Sequence, residues 1–321
     1  MGYSNSPADA DPVYNWVHPK NYQYRIYTPS REFGGYKVYF DSCGRRSQLP
    51  EAAEKEPRST LLVAFLGDSF VEALQVPYDS SFVGILSADY PNTAMLNYGV
   101  TGYGPLLYYL QCKQMLGEHK INPAAVFMVL YSNDIRNDSA FLNRAVFNSS
   151  GNDIIAVNGG KKNSLKALLR KSYLVRLCRK TYLQWQYARK TKNKTGPKGT
   201  VVNGLLEEMP LLDSTLTARY ILKTAALLQQ HNIPLYLTAI PSRYINFTGD
   251  TSVTSFAQIA EEWSQKNHIP FVNLHRSFDS VSVHTGQELF YTIDVHCNAA
   301  GHALIADAIH HVMDTIPGIG R

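Results

Sequence analysis

Two short stretches, more than two hundred residues apart, hold the side chains best suited to chemistry. Gly67-Asp68-Ser69-Phe70 places a serine directly after an apolar run, and Tyr291-Thr292-Ile293-Asp294-Val295-His296-Cys297-Asn298 places a carboxylate two residues before an imidazole. A serine hydroxyl is a weak nucleophile until a base takes its proton, and His296 is the candidate base. Residues two apart in an extended segment point the same way. Asp294 can therefore accept one imidazole N–H, fixing the tautomer and leaving the other ring nitrogen to face Ser69. The predicted chemistry is nucleophilic attack on a carbonyl, with Ser69, Asp294 and His296 as the catalytic set.

A tetrahedral intermediate also needs donors aimed at its oxyanion. Amide groups where the chain enters a helix after Gly67 can help hold an anion. Asn97-Tyr98-Gly99-Val100-Thr101-Gly102-Tyr103-Gly104-Pro105 carries glycines that let a backbone N–H approach a substrate closely, and Tyr131-Ser132-Asn133-Asp134 offers the Asn133 side-chain amide. Asp134 reads as a turn residue beside the site, with Asp68 in a similar supporting place next to the serine.

These groups need a frame. Leu61–Leu66, Ala94–Tyr98, Ala124–Tyr131, Pro234–Ile240 and Pro270–Leu274 read as buried strands, the third of them apolar throughout as a central parallel strand should be. Helical patterns lie between and after them, near Ser80–Ala88, Pro105–Gly117, Ser214–His231, Ser252–Asn267 and Ala299–Met313. Strand–helix alternation predicts a five-stranded parallel sheet covered by helices on both faces, with reactive groups at the carboxyl ends of the strands. His302, after Gly301, is expected to open the last helix. Upstream, residues 1–58 alternate at Tyr22, Tyr24, Ile26 and at Tyr36, Val38, Phe40 around Gly34-Gly35, the pattern of a β-hairpin packed on the main domain of residues 59–321. Residues 139–213 form an insertion that begins as Asn-, Ser- and Gly-rich loop. It continues as a basic helix over Ser164–Lys190, and Asn193–Thr200 breaks it.

The four blocks, in this order, resemble the SGNH/GDSL hydrolase family. Gly67-Asp68-Ser69-Phe70 is similar to the first block, Gly102 matches the glycine of the second, Asn133 in Tyr-Ser-Asn-Asp the asparagine of the third, and Asp294 with His296 the last. Residues 60–135 and 214–313 carry the resemblance, with Tyr39-Phe40-Asp41-Ser42-Cys43-Gly44-Arg45 similar to a segment that precedes the nucleophile in bacterial members. It implies a flavodoxin-like three-layer α/β/α sandwich. Ser69 is then nucleophile, His296 general base and acid, and Asp294 its orienting partner. The implied oxyanion hole combines the Ser69 and Gly102 amides with the Asn133 side chain. Two departures stand out. Tyr131 replaces the usual glycine of the third block, which is expected to narrow the cleft, and the last block is D-x-H where D-x-x-H is commoner. Ile293, three before His296, cannot orient an imidazole, so that task falls to Asp294.

The resemblance implies an esterase acting on an acyl or acetyl ester, carbohydrate esters included. An O-acyltransferase acting on a saccharide with the same site, and a binding or scaffold protein that has lost catalysis, are the alternatives. At 321 residues and 45% hydrophobic content the chain can bury a sizeable core. Four scattered cysteines (Cys43, Cys112, Cys178, Cys297) suggest neither a disulfide framework nor a metal site, and no cofactor is expected. Cys297 reads as a small buried hydrophobe. The net charge of +5 is unevenly held, since 13 Lys and Arg and no acid fall within residues 161–198 while the remainder is net acidic. A nucleic-acid partner is therefore not expected, and the basic segment 161–198 is a candidate surface for an anionic polymer or a membrane. No apolar run reaches the roughly 18 residues of a membrane span. Gly2 and Ser6 fit a short N-myristoylation pattern that recurs by chance. With no signal-peptide profile at the N-terminus, the expectation is an extracytoplasmic fragment lacking its targeting segment.

Overall fold

The computed structural model describes residues 7–28, 30–48, 61–157, 212, 215–241, 255–285 and 288–320. Its N-terminal part makes two small antiparallel sheets. Asp9–Asp11 (β1) pairs with Asn15–Val17 (β2), and Tyr22–Tyr27 (β3), Gly34–Phe40 (β4) and Arg46–Ser47 (β5) form a three-stranded sheet. The expected hairpin is β3–β4. Its alternation buries Ile26, Val38 and Phe40 against Leu74, while Tyr22 and Tyr27 face solvent. β1, β2 and β5 have only two or three residues each, too few for a period-two pattern to be read.

Among the described residues seven strands follow: Leu61–Leu66 (β6), Thr93–Asn97 (β7), Ala125–Leu130 (β8), Ala145–Phe147 (β9), Ile154–Val157 (β10), Leu235–Ala239 (β11) and Phe271–Val272 (β12). Five of them form the predicted parallel sheet, in the order β12-β11-β8-β6-β7. Counting only those five, the order is 2-1-3-4-5, the flavodoxin-like doubly wound arrangement, whose switch point lies between the first and third strands. The helices are Ser69–Glu72 (α1), Phe82–Asp89 (α2), Pro105–Gly117 (α3), Asp134–Leu142 (α4), Leu216–Gln230 (α5), Phe256–Lys266 (α6), Leu274–Thr285 (α7) and Ala299–Met313 (α8). Each central strand is buried on both faces, so alternate side chains feed two cores. Ala64, Leu66, Val126 and Met128 pack with Leu106, Ile221 and Ala260 of α3, α5 and α6. Val63, Phe65, Phe127 and Val129 pack with Leu86, Phe278 and Ile309 of α2, α7 and α8.

Three expectations need correction. The start of the 139–213 segment is not loop: α4 runs to Leu142, and β9 and β10 form an antiparallel hairpin. The Asn and Ser content belongs to its turn, where the Asn148 side-chain oxygen accepts from the Asn152 and Asp153 amides (both 3.2 Å), while Ile154 and Val157 enter the core. The segment Pro270–Leu274 is not all strand. β12 ends at Val272, and the Asn273 side chain accepts from the Arg276 amide (3.0 Å) at the start of α7. His302 does not open α8. Asn298 caps it by accepting from the Gly301 amide (3.0 Å), and His302 is buried one turn in, stacked on Phe82 at 6.0 Å. Burial pushes the His302 imidazole down to about 3, so it stays neutral. The basic helix Ser164–Lys190, the breaker Asn193–Thr200, the basic segment 161–198, Cys178 and the Gly2–Ser6 pattern lie outside the described residues.

Candidate active site

Ser69 opens α1 at the carboxyl end of β6. Asp68 caps the helix, its Oδ1 accepting from the Phe70 amide at 3.0 Å. The helix is a single turn, closed by Ala73 in the left-handed region (φ 53°). Its last carbonyls would be orphaned in the interior, and buried Arg46 takes them. The guanidinium donates to the Glu72 carbonyl at 2.8 Å, the Val76 carbonyl at 2.6 Å and the Ala73 carbonyl. The placement of Ser69 is thus set by a side chain from β5.

The two distant stretches meet. Ser69 Oγ lies 2.7 Å from Nε2 of His296, and Nδ1 of the same ring is hydrogen-bonded to Oδ1 of Asp294. A neutral imidazole donates from one nitrogen and accepts at the other. With Nδ1–H facing the carboxylate, Nε2 accepts from the serine hydroxyl. Burial alone would raise the Asp294 carboxyl, but its hydrogen bond and charge attraction to His296, with the His296 amide (3.1 Å), outweigh that and hold it below the usual range. The shorter D-x-H spacing therefore brings the carboxylate to the ring. Phe70 packs 4.7 Å from the His296 ring, and Tyr131 lies 4.4 Å from Phe70, so the tyrosine of the third block forms an aromatic wall beside the imidazole.

Asn133 stands at the end of β8 and start of α4, where its side chain makes no cap for its own helix. Instead Nδ2 donates to Asp68 Oδ2 at 3.0 Å, which ties the asparagine to the residue next to Ser69. The amide has a second N–H beyond this one. Asp134 is fully buried and accepts from the Tyr131 amide at 3.0 Å, closing the turn after β8. Burial drives its carboxyl well above the ordinary range, with the neighbouring Asp68 charge adding to the rise. Asp68 is itself raised by burial, against the pull of its two donors.

The second-block loop runs along α1. The Tyr98 and Val100 amides donate to the Phe65 and Gly67 carbonyls at 2.8 and 3.1 Å, and Asn97 Nδ2 donates to the Val71 carbonyl at 2.8 Å. The loop's three glycines differ in what they touch. A Cβ on Gly99 would meet the Glu72 amide at 2.1 Å and one on Gly104 the Asp138 carboxylate at 2.6 Å, so both are packing glycines. Gly102 alone of them has positive φ (80°), with only Trp16 near an added Cβ, at 3.7 Å.

Besides Arg46, the sequence reading missed two carboxylates near the site and the His18 that pairs with one of them. Glu72 is buried and bonded on both oxygens: His18 Nε2 lies 2.7 Å from Oε1, and Oε2 accepts from the Thr101 amide at 2.8 Å and from its hydroxyl. Burial would raise this carboxyl, but the His18 charge and these donors hold it below its usual range. Glu72 thereby joins α1 to the residue before Gly102 and to the N-terminal part. The signal was a lone carboxylate in the apolar run Phe70–Val76. Glu32, in the β3–β4 connection, accepts from the Ile293 amide at 2.6 Å and the Asp294 amide at 2.8 Å. No motif marked it. Among the described residues no three His, Cys, Asp or Glu side chains gather as a metal site would.

No protein-family profile and no curated protein matches the chain. Solved structures with a similar layout include a member of the lipolytic protein G-D-S-L family from Veillonella parvula, at 12% identity and TM-score 0.45 over 80% of this chain and 100% of that one. LAE5, an alpha/beta hydrolase enzyme from the metagenome of Lake Arreo, is similar at 13% identity and TM-score 0.46, covering 81% and 98%. A catalytic mutant of the acetylxylan esterase Axe2 from Geobacillus stearothermophilus is similar at 14% identity and TM-score 0.43, covering 79% and 94%.

Proposed function

We propose that the chain is a serine esterase that cleaves a carboxylic ester through an acyl-enzyme on Ser69. The observation that carries this reading is the continuous relay from Ser69 Oγ through the His296 ring to Asp294, with 2.7 Å between hydroxyl and Nε2. Ser69 Oγ attacks the ester carbonyl carbon as Nε2 takes its proton, and Asp294 stabilises the imidazolium that forms. The carbonyl oxygen becomes an oxyanion. Its donors are the Ser69 amide, which as the first of α1 has no acceptor within the helix, the Gly102 amide and the second N–H of Asn133. Asp68 holds Asn133 in place, and Asp134 holds the turn beneath it. Collapse expels the alcohol, which takes the proton from His296. Water then attacks the acyl-enzyme by the same route in reverse.

Purified protein is expected to hydrolyse p-nitrophenyl acetate and to be labelled by a fluorophosphonate probe. Ser69→Ala should lose both while keeping the wild-type circular dichroism spectrum. Equal turnover by the alanine variant would refute the assignment. Adding a saccharide separates hydrolysis from acyl transfer: acylated sugar in excess over free acid would make the chain a transferase with the same nucleophile.

A further inference from the structure

Asp294 and His296 sit on a loop between Phe290 and Cys297. Its base is closed by the Phe290–Cys297 bridge, by the Asn298 amide donating to the Leu289 carbonyl (3.0 Å) and by the Tyr291 amide donating to the His296 carbonyl (3.1 Å). Tyr291 is pinned from outside, its hydroxyl donating to the Gln75 carbonyl at 2.7 Å and its ring 5.3 Å from Phe33. The tip is different. Ile293 is 43% exposed, so apolar packing does little to hold it. The Glu32 carboxylate reaches the tip, one oxygen on each of two successive amides, Ile293 at 2.6 Å and Asp294 at 2.8 Å.

We propose that Glu32 is a positioning residue for the Asp294–His296 pair, a carboxylate lent by the N-terminal hairpin that holds the base-bearing loop where its imidazole faces Ser69. The inference rests on the esterase reading above. Hydrogen bonds from amides to an ionised carboxylate are short and roughly twice as strong as neutral ones. Two on adjacent amides fix the peptide plane between Ile293 and Asp294, and hence the direction of the Asp294 side chain. Each of the two carboxylates has its own donors. Asp294 has the ring and amide of His296, while Glu32 has the loop tip. Glu32 touches no reacting atom. Its effect passes through the geometry of the relay, where a displacement of about 1 Å can cost on the order of 100-fold in rate.

The test compares p-nitrophenyl acetate hydrolysis by wild type, Ser69→Ala, Glu32→Ala and Glu32→Gln, with a thermal melt of each. Glu32→Ala should lower kcat roughly 10- to 100-fold with KM little changed, because the loop orients the base and does not bind the ester. Glu32→Gln keeps one acceptor oxygen and should recover part of the rate. Both should melt close to wild type, since the loop base is closed without Glu32. A Glu32→Ala kcat equal to wild type overturns the proposal, as does a loss carried by KM alone. Should the alanine variant fail to fold, the near-isosteric glutamine decides, and a wild-type kcat there overturns it too. If the wild type shows no Ser69-dependent turnover, the esterase reading falls and takes this inference with it. Turnover by wild type that Glu32→Ala matches removes this inference alone.

Discussion

Asn133 shows how much of a side chain's role depends on what sits opposite it. As a residue type it suits a turn as well as an oxyanion hole. Its Nδ2 donates to Asp68 at 3.0 Å, which commits one N–H and fixes the plane of the amide. The second N–H is then the part of the side chain that a substrate oxyanion can use. Asn133→Ala is expected to lower kcat about 100- to 1,000-fold with a small effect on KM, because the donor is worth most when charge develops on the oxygen. Steady-state kinetics on p-nitrophenyl acetate would check it, and a loss confined to KM would remove Asn133 from the oxyanion hole. Cys297, beside His296, is the contrasting case. It is fully buried and burial pushes its thiol up, so it stays protonated and packs as a small apolar residue.

At the level of elements, α1 is the meeting point. One turn of helix carries Ser69, and it is too short to be stable alone. Its ends are held by its own cap and by other segments: Asp68 accepts from the Phe70 amide, Arg46 of β5 takes the Glu72 and Ala73 carbonyls, and Asn97 the Val71 carbonyl. Arg46→Met fills similar space but removes the donors. It leaves two or three buried carbonyls unsatisfied, at about 1–3 kcal/mol each. The variant should therefore unfold at distinctly lower urea concentration. A midpoint within error of wild type would mean that water replaces the guanidinium and that α1 is held by other contacts. Glu72, at the other end of the same turn, extends the hub to Thr101 and His18, and so ties the loop bearing Gly102 to the helix bearing Ser69.

Over the whole molecule, buried carboxylates link stability to pH. Asp138 of α4 accepts from the Leu106 amide of α3 at 3.0 Å and from the Thr217 hydroxyl of α5 at 2.7 Å, tying three helices together. Burial raises its pKa from 3.8 to about 7, and the two donors offset only part of the rise. The folded state then keeps a proton that the unfolded chain has released, between about pH 4 and 7. Stability must fall as pH rises wherever the folded state binds more protons. Asp138→Asn cannot ionise, so its stability relative to wild type should climb across that window and level off on either side. Urea unfolding of both proteins at several pH values between about 4 and 7 measures the difference directly. A gap that stays constant or narrows with pH would show that Asp138 is ionised throughout. Comparing the two variants cancels the opposite slopes from Asp294 and Glu72, whose carboxyls are held low.

Much of this was legible in the chain because it depends on local pattern. Buried parallel strands are apolar end to end, and a parallel sheet forces reactive residues to strand ends, so Ser69, Asn133 and His296 could be picked out by type and place. The short strands β1, β2 and β5 and the β9–β10 hairpin were not legible, because each is too short or too polar to impose a period and exists through tertiary contact. The same holds for the supports of the site. Glu32, His18 and Arg46 are distant in sequence from what they hold, and no local rule links Arg46 to a helix end 26 residues on or Glu32 to amides 261 residues away. Sequence by itself marked which groups are candidates for the chemistry, since reactivity belongs to residue types and short spacings. Only the tertiary structure decided which groups hold them still, since a hydrogen bond depends on distance in space and is blind to distance along the chain.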